Sequence, residues 1–124
     1  YQGYKKCVLI LVFDAYKVDL VFTAHDHVIA RTLPIAGDAA VAPPEFGTVY
    51  AATGRSGTKT YDNVAAKDWN VFFYNPLEEP NYLLVKVSGN TLQVQAITAS
   101  GAVVDEWSVE KQDQQQAGKQ GAGM

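Results

Sequence analysis

Residues 82–109 can fold in few ways. Tyr82-Leu-Leu-Val-Lys-Val87 and Thr91-Leu-Gln-Val-Gln-Ala96 flank Ser88-Gly89-Asn90, and Gly-Asn between two apolar runs is a strong signal for a two-residue hairpin loop. In the second run Leu92, Val94 and Ala96 alternate with Thr91, Gln93 and Gln95. Successive strand residues point to opposite faces, so one face is dry and the other wet. A second turn at Ser100-Gly101 leads to Val103-Val-Asp-Glu-Trp-Ser-Val109, with Val103, Trp107 and Val109 on one face. The three segments read as a β-meander.

The rest of the chain is mixed. Val18-Asp-Leu-Val-Phe-Thr23 reads as a buried strand and Thr48 to Thr53 as a short one. Leu33 to Gly47, with Gly37-Asp-Ala-Ala-Val-Ala-Pro-Pro44, reads as a surface loop. Asn63 to Lys67 is expected to form one helical turn. Trp69-Asn-Val-Phe-Phe-Tyr74 could stack on bases or sugars, but it carries no interleaved basic residues and reads as a core strand. Pro76 and Pro80 bracket the acidic turn Leu77-Glu-Glu79. From Gln112 the chain is Gln, Gly and Ala without apolar periodicity; such a segment buries too little surface to offset its ordering entropy, and disorder is expected over 112–124.

Cys7-Val-Leu-Ile-Leu-Val-Phe13 is a continuous apolar run whose periodicity fits a helix or a strand. As a helix over 3–17, Lys5, Lys6 and Asp14 mark its wetter side and the run is buried nearly all round. It is well short of the about 20 residues that span a bilayer. Cys7 is the lone cysteine, so no disulfide can form within the chain, and it reads as a small buried hydrophobe.

With 48% hydrophobic residues in 124, the chain can build one modest core. Ten Lys and Arg against 13 Asp and Glu leave a net charge of -3, which argues against nucleic-acid and anionic-membrane partners. Gly54-Arg-Ser-Gly-Thr-Lys-Thr60 lacks the spacing of a nucleotide P-loop, because Lys59 does not directly follow a second glycine. It reads as a tight turn with Arg55 and Lys59 solvated, a substrate contact being the alternative.

His25 and His27 are the only histidines, set as Ala-His-Asp-His after the Val18 to Thr23 strand. In an extended segment they would share a face and could converge on one metal or on two adjacent ones. Two polar residues on a surface loop are the plainer alternative. The strand end is, however, where α/β sheets place their ligands.

Tyr16-Lys-Val-Asp-Leu-Val-Phe-Thr-Ala-His-Asp-His-Val-Ile-Ala-Arg-Thr-Leu-Pro-Ile35, followed by Gly47-Thr-Val-Tyr-Ala-Ala-Thr-Gly-Arg-Ser-Gly57, resembles the C-terminal part of a calcineurin-like metallophosphoesterase of the purple acid phosphatase branch. That family carries Gly-His-x-His after such a strand, then an aromatic-x-Arg-Thr/Ser tract. Here Ala24 stands at the glycine, and Ile29-Ala30 stand where a Tyr-Glu pair is common.

The resemblance implies an α/β fold: the C-terminal portion of an α/β sandwich, β-rich, with one N-terminal helix and a C-terminal meander, spanning residues 1–111. It implies that His25 and His27 each bind one metal of a two-metal centre, iron with zinc or manganese. Arg31 is a candidate substrate contact, since a guanidinium suits bidentate phosphate binding. The substrate class implied is a phosphoester, and the setting extracellular or periplasmic. The family's Asp-x-His, Gly-Asp-x-x-Asp and Gly-Asn-His motifs, which lie upstream of the matched stretch, do not occur in this sequence. The chain alone is therefore expected to be inactive, without a catalytic residue of its own. It is also expected to form a homo-oligomer or to join a partner chain that supplies the N-terminal half. The competing expectation is a β-rich interaction module with no catalytic role.

Overall fold

A computed structural model describes residues 8–111. The expectations for Cys7 and for the tail 112–124 fall outside the described residues. Helix α1 spans Val8–Ala15. Its end is set by Lys17, whose φ of 53° is left-handed, with Val18 N–H donating to the Phe13 carbonyl and Lys17 N–H to that of Asp14. These are the paired bonds of a Schellman motif, which stop the helix two residues before the expected limit.

The burial expected of α1 is overturned. No residue of the helix is fully buried, and Val8, Leu9 and Leu11 are 71%, 60% and 62% exposed. One stripe of a helix can face one sheet, and here Phe13 does so, its ring centroid 6.3 Å from that of Tyr50. Nothing among the described residues covers the remaining stripe. No helix among them is long and apolar enough to cross a membrane.

Strand β1 is Leu20–Thr23 and β2 is Ile29–Thr32. The segment read as a plain loop contains the short hairpin β3 (Ile35–Ala36) and β4 (Ala39–Ala40). Its turn residues Gly37 and Asp38 both have positive φ, the geometry that matches the right-handed twist of paired strands. Strands β5 (Val49–Thr53) and β6 (Asn70–Tyr74) complete a four-stranded sheet in the order β1-β5-β2-β6. β1 runs parallel to β5, and β2 runs antiparallel to β5 and β6. The expected helical turn at 63–67 is absent. Lys67 N–H instead donates to Asn70 Oδ1, and Asn70 N–H to the Lys67 carbonyl, closing a turn into β6.

The meander forms as read: β7 (Asn81–Ser88), β8 (Thr91–Thr98) and β9 (Val103–Glu110) make an antiparallel sheet in that order. Gly89 supplies the positive φ that the hairpin loop demands. Val94 and Ala96 are buried, as the alternation requires. The described residues are thus β-rich, with one helix, at their N-terminal end. Ile29 and Ala51 of the first sheet and Val94, Ala96 and Ile97 of the second are its buried apolar centre.

Arg31 ties the sheets together. Its Nε donates to Asp105 Oδ2 at 2.9 Å and its second terminal nitrogen to Oδ1 at 3.3 Å. The guanidinium carbon lies 5.4 Å from the Trp107 ring centre and 6.0 Å from that of Phe72, within cation–π range.

Candidate functional site

β1 ends at Thr23, and the chain turns sharply before β2 begins at Ile29. His25 has a φ of 101° and His27 one of 53°. Such backbone costs a side-chain-bearing residue about 1–3 kcal/mol each and tends to be held at functional sites. The histidines therefore do not share a face by strand alternation; a loop with two left-handed residues presents them instead. Ala24 is not among the left-handed residues, so lacking glycine there brings no backbone strain.

His27 is half-buried and fixed. Its Nδ1 lies 2.8 Å from the Lys59 carbonyl oxygen. A carbonyl only accepts, so Nδ1 carries a proton, and in the neutral ring Nε2 then keeps a lone pair for a ligand. The Tyr61 ring is tilted against the imidazole, centroids 5.0 Å apart, and Lys59 Nζ sits 5.1 Å from the centre of that same ring. His25 is different: its side chain is 86% exposed and its Nδ1 lies 3.3 Å from Asp26 Oδ1. Both histidines line one open cleft of about 550 Å³, together with Phe22, Arg55 and Tyr82.

The floor of this cleft is set by Gly54, Arg55 and Asn81. Gly54 has a φ of 94°, and a Cβ there would lie 2.0 Å from Asn81 Oδ1, so only glycine fits. Asn81 Oδ1 accepts from Arg55 N–H at 3.0 Å, and its Nδ2 donates to the Thr53 carbonyl at 2.9 Å. The Asn81 side chain thus joins the end of β5 to the start of β7. Arg55 is buried, 7% exposed, and not solvated as its sequence context implied. Its guanidinium donates to the carbonyls of Pro76, Gly57 and Leu77. Sequence reasoning named Arg55 but as a solvated residue, and missed Asn81 altogether. The one available signal was Gly54 directly after a strand, which marks a close approach without saying of what.

The structure brings His25 and His27 to one cleft and sets Arg31 elsewhere, against Asp105 on the face turned to the second sheet. Among the described residues, no group of three or more His, Cys, Asp or Glu side chains is placed to hold a metal ion. Two imidazoles, one with its ligand nitrogen selected by a carbonyl, fit part of a metal centre. They do not complete a two-metal one.

The chain matches no protein-family model and no curated protein. Among solved structures it is similar to a purple acid phosphatase from yellow lupin (Lupinus luteus) seeds, with a TM-score of 0.70 and 19% identity. It shares the fold of part of that phosphatase. The likeness covers 85% of this chain and 20% of the lupin chain, so this sequence spans about a fifth of that protein. At such identity the likeness is one of fold. A β-rich framework, similar in fold to part of that structure, carries the histidine cleft.

Proposed function

We propose that this chain is the C-terminal portion of a metal-dependent phosphoester hydrolase, in which His25 and His27 contribute ligands to a two-metal centre of iron with zinc or manganese. The observation that carries the reading is His27, half-buried, with Nδ1–H given to the Lys59 carbonyl and the Nε2 lone pair left for a metal, in the same loop as exposed His25. Support comes also from the phosphatase-like fold over 85% of the chain. In such hydrolases the metals acidify a water and neutralise charge on the phosphoryl oxygens. This chain's own part is to hold two imidazoles at a solvent-open rim. The remaining ligands would come from outside residues 8–111, in a longer polypeptide or a partner chain. Arg31, engaged by Asp105, would serve substrate indirectly by keeping the sheets in register.

The test is two measurements on the full chain. Purified protein is expected to bind zinc weakly through both histidines, with binding lost in His25→Ala and in His27→Ala. It should show no turnover of an aryl phosphate above background with zinc, iron or manganese. Robust hydrolysis abolished by His25→Ala would overturn the shared-site reading, and zinc binding indifferent to both substitutions would overturn the ligand assignment. The second outcome would favour an interaction module, for which the edge strand β7 is suited: Tyr82, Leu84, Val85 and Val87 are exposed along it.

A further inference from the structure

Arg55 is a buried cation that makes no ion pair among the described residues. Burying a charge is unfavourable unless dipoles compensate it. Here three backbone carbonyls do so, from Gly57 on one side and Pro76 and Leu77 on the other. The planar fork of a guanidinium can span such a set, and an ammonium cannot. Arg55 therefore fastens the 56–61 loop to the segment that follows β6.

The fastening has a direction. Within that loop, alternate carbonyls are taken by side chains: Gly57 by Arg55, Lys59 by His27 and Tyr61 by Asn75 Nδ2 at 2.7 Å. Arg55 and Asn75 hold the two ends, and His27 reads the carbonyl between them. We propose that Arg55 is a positioning residue for His27. By fixing Gly57 it aims the Lys59 carbonyl at Nδ1, which selects the tautomer that leaves Nε2 free as a ligand. The importance of that tautomer rests on the proposed metal role, whereas the coupling itself does not.

The experiment is a long-range proton–nitrogen spectrum of the imidazoles in the metal-free full chain, at a pH where both are neutral. Wild-type His27 is expected as the Nδ1–H form. Arg55→Met should shift it to a mixture of tautomers while His25 signals stay in place, and zinc affinity should fall roughly 10-fold or more, the usual effect of losing a group that orients a ligand. Should Arg55→Met fail to fold, Asn75→Ala loosens the other end of the same loop and should give the same tautomer shift. A folded Arg55→Met or Asn75→Ala protein with the wild-type tautomer would overturn the proposal, as would a wild-type His27 protonated at Nε2. A merely structural arginine would lower stability and leave the tautomer alone. If wild-type chain binds no zinc, the hydrolase reading fails, and the tautomer result still decides the role of Arg55.

Discussion

The meander β7–β9 and the histidine corner, residues 24–28 with 54–61, are built on opposite principles. In the meander, backbone bonds to backbone across an unbroken β7–β8 ladder from Asn81 to Ser88, and the demanding residues are two turn glycines, Gly89 and Gly101. In the corner, side chains take the place of a ladder: Asn81 caps the end of β5, Arg55 and Asn75 hold the loop, and His27 closes on its middle carbonyl. The first region is specified by neighbours in sequence and tolerates exchange on its wet face. The second depends on partners far apart in the chain, each with one chemistry that fits, and it carries left-handed histidines at a cost.

The contrast can be broken or sharpened by substitution, starting where the effect is largest. Arg31→Met should cost about 3 kcal/mol, because it leaves the Asp105 carboxylate, 8% exposed, buried without its partner. Chemical denaturation of the full chain measures it, and a loss under about 1 kcal/mol would mean that the sheets hold together without this tie. Gly54→Ala should cost about 2 kcal/mol through strain and the displaced Asn81 side chain. Here hydrogen exchange is the sharper probe: amides of 54–61 should lose protection while those of 91–98 keep it, and uniform loss would dissolve the distinction between regions.

His25→Gly has the opposite sign. Relieving the left-handed backbone of an exposed residue should stabilise the chain by about 1 kcal/mol. The same change should abolish weak zinc binding, the trade expected where strain is kept for function. Unchanged stability in thermal unfolding would show that the loop is not strained in solution. Smallest of all, Leu9→Glu with Leu11→Glu should change stability by under about 0.5 kcal/mol, since both side chains are exposed. It should reduce binding of a hydrophobic dye and any self-association seen by sedimentation. No change in either would show that the bare stripe of α1 is not a sticky surface.

What could be read from the sequence follows the same division. The hairpin at Gly89 and the buried Val94 and Ala96 follow from a period of two and one turn signal, both local. The apolar run before residue 14 fits helix and strand alike, and only the family resemblance pointed to a helix; its exposure was not legible either, because burial depends on what lies against it. The histidine pair was legible as a motif. Its geometry was not, since nothing in Ala-His-Asp-His announces two positive φ angles. Arg55 beside Ser56 and Thr58 looks like a solvated turn; that three carbonyls surround it depends on residues 76 and 77, which reach it only in the folded chain. Arg31 and Asp105 likewise declare their pairing only across the two sheets.

The parallel pairing of β1 with β5 bears on the order of assembly. Leu20 meets Val49 only after the whole of β2, β3 and β4 has been looped out, whereas Ser88 meets Thr91 across a two-residue loop. Loop closure is unfavourable before the contacts it enables are made, so the meander should form early and the parallel pair late. Pulse-labelling hydrogen exchange during refolding is expected to protect amides of 91–98 before those of 49–53. The histidine loop hangs from the end of β1, and its anchoring loop from the end of β5. The two imidazoles would then be set in place among the last events of folding, so that a half-folded chain holds no ordered histidine corner.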